Sequence, residues 1–507
     1  MDQRLDRFDA ALISRSYGIL KGSMKRSLPG LLLWLVPTLF LAVFFLLPLG
    51  IIFQTVGQQI ALDGLDSLNT RIIWKPLAFT FWQAALSTIL TMAAGLPAAF
   101  VLSRYQFRTK FLFKVLTTLP FILPTVVVAA GFNALLGPNG WINLLLMKIF
   151  SLSSPPIQIL NTLWAILLAH VFYNTTIIIR VVGSALEQID PRLESAARAL
   201  GASPLRTLAE ATLPLLRRPI LAAALLVFLF DFTSFGVILL LGGARMATLE
   251  VEVYVQALHL LNLPMAGLLS LIQLICTLAI SLVYLRVLQG TSVSISPRLH
   301  GEGIIKVKTW QQRLFLALTL VFLATLILLP LTALTARSFT RLEADRGERG
   351  QIRTGLTTRY YTELFTNEIG SLFYVPPIRA VSNSLMYAAA ATLISLVLGI
   401  MAAYAFHRTG LASRWLDLLL MLPLGTSAVT LGLGYVILLS RMAVSVQSYP
   451  LLIPVVHSLV ALPFVVRTIQ PAIVSIPHSL RQAASVQGAD SWRVLREVDL
   501  PIILRSV

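Results

Sequence analysis

Charge is scarce in this chain. Only 12% of its 507 residues are Asp, Glu, Lys or Arg, about half of the roughly 25% found in soluble domains. Acid is scarcest, with 22 Asp and Glu against 40 Lys and Arg. A membrane-embedded enzyme would need His, Asp or Glu clustered at the end of a span. The apolar runs carry no such cluster and no H-E-x-x-H spacing. No G-x-x-x-x-G-K-[ST] stretch occurs, which excludes a phosphate-cradling loop of that kind. The single cysteine, Cys276, lies in an apolar run. It excludes a disulfide framework or a cysteine-based metal site within the chain and reads as a small buried hydrophobe. No catalytic residue, metal or cofactor is expected.

What is present is apolar length. Hydrophobic residues make up 57% and the mean hydropathy is +0.81. Barrel strands would alternate apolar and polar residues. Runs such as 39–47, Leu-Phe-Leu-Ala-Val-Phe-Phe-Leu-Leu, do not. The expected class is therefore an all-α polytopic membrane protein. Ten spans are predicted, near 31–55, 78–103, 112–136, 158–183, 219–242, 264–288, 313–336, 379–406, 415–440 and 450–470.

The net charge of +18 would suggest a nucleic-acid partner in a soluble protein. Here the basic residues fall between alternate apolar runs, and no basic face is interleaved with aromatics. No nucleic-acid partner is expected; the lipid bilayer is. Residues 1–29 form a basic tail, and the short segments at 104–114, 180–218, 286–313, 408–414 and 467–505 are basic too. The short segments 137–157 and 242–263 hold only Lys148 and Arg245. The positive-inside rule then predicts a cytoplasmic N-terminus. The loop 337–378 mixes both signs and is expected to be solvated and partly ordered.

The chain repeats itself. Gly95 with Ala98, Ala99 and Arg104 matches Gly399 with Ala402, Ala403 and Arg408. His170 and Arg180 match His457 and Arg467, a shift of 287 residues. Two polar islands obey the same shift without a gap, from Gly201 to Gly488 and from Pro214 to Pro501. The predicted organisation is a tail (1–29), a first half (30–290) with an island at 190–219, a polar cytoplasmic linker (291–312) and a second half (313–507). The second half is expected to be truncated after its island at 477–507, because Val507 aligns with Ile220 and two further spans follow that point in the first half. Both islands must lie on one side, so the repeat is parallel, about an axis along the membrane normal.

Each island encodes a helix–turn–helix. Asp190 is a good N-cap with Pro191 at N1. Ala196 and Ala197 favour helix, and Gly201 suits the left-handed position that ends it. Ser203 should cap a second short helix, and Leu213-Pro214 should break it. In the second copy Gly488 supplies the turn and Asp490 the cap. The alanine pair leaves a narrow, smooth face that fits the groove of another protein. Two such knobs on one pseudo-symmetric body suit a two-fold partner.

The islands resemble a family motif: E-A-A, three residues, G, nine residues, I, one residue, L-P. The matches are Ser195-Ala196-Ala197, Gly201 and Leu213-Pro214, then Gln482-Ala483-Ala484, Gly488 and Leu500-Pro501. That motif marks the permease subunits of binding-protein-dependent ABC importers, in two homologous halves of six-helix type. The glutamate of the motif is replaced by Ser195 and Gln482, so docking should rest on shape rather than on its charge. The fused arrangement resembles the iron(III) and thiamine import group, and residues 232–258 are similar to thiamine-type permeases. The resemblance implies a bacterial inner-membrane, multi-pass permease with the coupling residues named above. It implies a cytoplasmic ABC ATPase dimer as partner, with ATP hydrolysis there, and an extracytoplasmic solute-binding protein. The other reading weighed is a secondary transporter driven by an ion gradient, which would need intramembrane charges that are scarce here.

Asp231 stands midway along a span and is a candidate for the translocation path, with Thr233, Ser234, His170 and His457. The alternative for Asp231 is a carboxylate hydrogen-bonded to a neighbouring helix.

Overall fold

The computed structural model describes residues 28–63, 70–243, 246–289, 305–341, 355–362, 364–365, 376–406, 416, 419–420, 422–442, 444 and 449–503. The N-terminal tail up to residue 27, most of the linker and much of the loop 337–378 lie outside the described residues. The chain divides into two compact units, residues 1–58 with 375–507, and residues 59–374.

The main helices are α1 (Leu28–Leu41), α2 (Leu47–Asp63), α3 (Thr70–Arg104), α4 (Thr125–Leu136), α5 (Leu163–Gln188), α6 (Pro191–Ala199), α7 (Leu213–Phe232), α8 (Leu263–Gln289), α9 (Trp310–Ser338), α10 (Pro377–Phe406), α11 (Ala428–Arg441), α12 (Leu452–Ser475) and α13 (His478–Val486). A π-helical turn, Ala42–Leu46, joins α1 to α2. Strand pairing among the described residues is limited to two short ladders. Tyr105–Gln106 runs parallel to Ile305–Lys306, and Thr340–Arg341 antiparallel to Gly355–Leu356. The protein is thus an all-α polytopic membrane protein.

Among the described residues, eight helices are long and apolar enough to cross a membrane, or nine if one bent pair counts as a span. That pair corrects the straight span predicted at 112–136: Lys110–Ile122 and Thr125–Phe150 meet at 108°. Leu123 and Pro124 are extended at the bend, because a proline drives the residue before it out of the helical region. The span predicted at 219–242 is also interrupted. Helix α7 stops at Phe232, and Gly236–Leu241 is a separate short helix. In the region predicted as 415–440, a 3-10 turn at Leu422–Gly425 precedes the short α11, whose first N–H groups at Val429 and Thr430 are capped by the Ser427 hydroxyl.

In the unit 59–374, α3 and α5 pack along one another and α7 lies against both. Its core joins Val128 and Phe132 of α4, Ile166 and Phe172 of α5, and Leu326 and Ile327 of α9. In the other unit α10 packs along α12, and α1 lies against α10. There Tyr435 of α11 donates from Oη to the Phe44 carbonyl at 2.5 Å, and Arg441 donates to Gln54 Oε1 at 2.7 Å. The leading span of each sequence half therefore packs on helices of the other half.

One close crossing is repeated. A Cβ at Gly95 would lie 2.6 Å from Ile178 Cβ, and one at Gly399 2.5 Å from Val465 Cγ1. Ile178 and Val465 are themselves related by the 287-residue shift. Only glycine lets these backbones approach so closely.

Candidate functional site

The two islands fold alike at their turns, though only the first caps its leading helix, with Asp190 where the second has Pro477. Asp190 accepts from the Arg192 N–H at 2.9 Å, and Pro191 opens α6. The helix ends with Leu200 N–H on Ala196 O (3.1 Å), Gly201 N–H on Arg198 O (2.9 Å) and Ala202 N–H on Ala197 O (3.1 Å). In the second island Gln487 bonds Ala483 (3.2 Å), Gly488 bonds Ser485 (3.0 Å) and Ala489 bonds Ala484 (3.0 Å). Each acceptor and donor is shifted by 287. The glycines have φ of +87° and +81°, the left-handed turn that closes a helix by satisfying its last carbonyls.

The second short helices correspond as well. Ser203 Oγ caps Arg206 N–H at 3.3 Å, and Asp490 Oδ1 caps Arg493 N–H at 2.9 Å. Arg206 pairs with Glu210 at 2.9 Å and Arg493 with Glu497 at 3.0 Å. All four groups are well exposed, so each pair contributes only a few tenths of a kcal/mol.

The predicted break at Leu213-Pro214 does not occur. The chain runs from Pro204 to Phe232 as one helix. A π turn at Leu208–Thr212 carries it past the proline, with Leu213 N–H on Leu208 O. Residues Leu495–Asp499 do the same before Leu500-Pro501. Proline cannot supply the N–H that an α turn needs. The wider turn absorbs that gap without ending the helix.

Ser195, Ala196 and Gly201 are exposed and Ala197 is half-buried; Gln482, Ala483, Gly488 and Ala484 show the same pattern. Leu213, Pro214 and Pro501 are exposed, while Leu500 is half-buried. Ser195 Oγ donates to the Pro191 carbonyl of its own helix at 3.0 Å. Sequence reasoning passed over two further matched pairs. Leu193 and Leu480 are 50% and 47% exposed, and Leu205 and Trp492 are 79% and 68% exposed. Apolar side chains presented at equivalent places on two polar islands are the mark of a contact surface. Their shared register was the available signal.

The path candidates fall into a different setting. His170, Asp231 and Ser234 meet in one buried cluster. His170 Nδ1 lies 2.9 Å from Ser87 Oγ and 3.2 Å from Asp231 Oδ1, and its Nε2 lies 2.9 Å from Ser234 Oγ. Asn174 donates to Asp231 Oδ1 at 2.6 Å, and Gln83 donates to the Asp231 carbonyl at 2.8 Å. The cluster ties α3, α5 and α7 together where α7 unwinds. His170 and Asp231 are 2% and 0% exposed. The Ser–His–Asp order superficially suggests a nucleophile relay, but such burial denies a substrate access. Asp231 Oδ2 has no hydrogen-bond partner among the described residues. Thr233 donates to the Leu229 carbonyl of its own helix at 2.9 Å. His457 is exposed on α12, in the other compact unit.

Comparison with known proteins agrees with the islands. Residues 91–290 and 395–507, more than half of the chain, match the family described as binding-protein-dependent transport system inner membrane component. Each matched segment contains one island. The chain is similar to the thiamine transport system permease protein ThiP of Brucella abortus, 28% identical over 87% of this chain and 77% of that protein. It is also similar to the ThiP protein of Escherichia coli, 26% identical over 88% of this chain and 78% of that protein. Such proteins are permease components and not enzymes; ATP hydrolysis resides in a separate subunit. A twice-written coupling motif on a multi-span apolar scaffold, together with this match, places the chain in the binding-protein-dependent transport system inner membrane component family, as an ABC importer permease of the inner membrane.

Proposed function

We propose that this permease forms the path for a thiamine-type solute in an ATP-driven importer, with its N-terminus and both islands in the cytoplasm. The islands dock a cytoplasmic ATPase dimer, and an extracytoplasmic binding protein delivers the solute to the opposite side. The repeated island carries this reading: two helix–turn–helix elements with the same glycine turn, a capped second helix and exposed apolar side chains at matched positions. Closure of the ATPase dimer on ATP would draw the docked islands together. Each island continues through a π turn into a helix, α7 in the first half, so its displacement reaches the bundle as a rigid movement. The thiamine-type solute follows from the named relatives and from the similarity of residues 232–258.

Ala196→Glu or Ala483→Glu, both at exposed positions, puts a charge and bulk on the docking face. Each should reduce co-purification of the ATPase at least tenfold, about 1.4 kcal/mol, while membrane insertion and thermal stability stay unchanged. Undiminished co-purification would sink the docking claim. ATP-dependent uptake of radiolabelled thiamine into proteoliposomes containing all subunits tests the solute, with iron(III) as the competing outcome.

A further inference from the structure

Each island is fastened to its own unit by one carboxylate, and the carboxylate has changed places between the copies. In the first, Glu194 of α6 accepts from Arg104 Nη2 at 2.7 Å and from Thr212 Oγ1 at 3.0 Å. Arg104 is the last residue of α3, and Thr212 closes the π turn. In the second, the residues matching Glu194 and Thr212 are Arg481 and Asp499. Asp499 accepts from Arg481 Nε at 2.9 Å and from Tyr404 Oη at 2.6 Å. Tyr404 lies in the last turn of α10, at the position matching Phe100 of α3.

The same three elements are joined both times: the first short helix, the π turn, and the C-terminal end of the long helix, α3 or α10. The acid moves from the short helix to the turn, and the short helix gains a base in exchange. One carboxylate and one guanidinium serve each clamp. The Arg104 and Asp499 side chains are each 5% exposed, so each clamp sits largely away from water, where charge-assisted bonds are strong.

We propose that Glu194 and Asp499 are positioning residues. They hold each island rigidly against α3 or α10, so that movement imposed on the island reaches the long helices of the bundle. Glu194 thereby has a different task from the neighbouring motif position, Ser195, which faces outward. That the clamp transmits the ATPase's movement rests on the function proposed above; that the clamp exists does not.

The test uses the full chain in lipid nanodiscs. With Cys276→Ser as background, spin labels on Arg108→Cys and Arg198→Cys, both exposed, report the separation of α6 from the end of α3. The unsubstituted clamp should give one narrow distance distribution. Glu194→Arg should broaden it at least twofold. Adding Thr212→Asp and Phe100→Tyr, which copies the second clamp into the first, should narrow it again. If Glu194→Arg fails to accumulate in the membrane, Glu194→Gln supplies the broken clamp. A distribution as narrow in the broken clamp as in the unsubstituted chain, or a triple variant as broad as the single one, would overturn the proposal.

With the ATPase and binding protein present, Glu194→Arg should lower ATP-dependent thiamine uptake at least tenfold. ATPase co-purification should stay within twofold, and the triple variant should restore uptake. Loss of co-purification together with uptake would put Glu194 in the docking face and refute the positioning role. An unsubstituted chain that binds no ATPase would refute the coupling function and leave the distance result standing.

Discussion

His170 and His457 occupy the same place in the repeat and opposite surroundings. His170 is buried between Ser87, Asp231 and Ser234, whereas His457 is exposed. The sequence partners differ accordingly: Ala391 stands where the first half has Ser87, and Ala461 where it has Asn174. The islands behave in the opposite way. There the residues change, Glu194 to Arg481 and Thr212 to Asp499, while one carboxylate still joins the same three elements through different partners. The repeat thus preserves the fold of the islands and lets the interior of the bundle diverge.

The largest expected effect separates the two histidines. His170→Ala leaves Asp231 and two serines without their buried partner. It should cost about 3–5 kcal/mol, since three buried or half-buried polar groups lose a partner and each one left unsatisfied costs about 1–3 kcal/mol. His457→Ala should stay within about 0.5 kcal/mol. Thermal unfolding of the purified protein in detergent measures both, and equal losses would break the comparison. Next come the helix crossings. Gly95→Leu and Gly399→Leu each force bulk into backbone-close contact and should cost about 1–3 kcal/mol apiece, read as loss of folded protein under the same conditions. A large difference between them would mean that the two crossings are not equivalent. The smallest effect belongs to the island turns. A Cβ at Gly201 or Gly488 meets nothing within 4 Å, so Gly201→Ala and Gly488→Ala cost only the left-handed backbone, about 1–2 kcal/mol each. Faster amide exchange at Ala202 and Ala489, with the spans unaffected, is the expected signature.

Much of the local structure was legible before any fold. Asp190, Ser203 and Asp490 cap the helices that their short polar side chains announce, and Gly201 and Gly488 take the left-handed turn that others avoid. Apolar length placed the spans, though not their interruptions. Pro124 was visible, but the size of the bend was not. Pro214 was read as a break because the sequence shows the lost N–H and not the wider turn that accommodates it. Leu193, Leu205, Leu480 and Trp492 carry a legible signal too, as apolar residues in step on two polar islands.

The sequence by itself determined the repeat, the helical membrane class and both islands. Those features depend on composition, on register and on hydrogen bonds between residues a few positions apart. Tertiary structure alone decided which half receives each leading span, why Asp231 meets a histidine from another helix, and how a carboxylate could exchange positions between the islands and still hold. Asp231 and His170 are 61 residues apart in the chain, and Arg104 and Glu194 are 90 apart. No local pattern records such pairings. They form only when α3, α5, α6 and α7 pack closely enough to exclude water, where an unpaired polar group costs most.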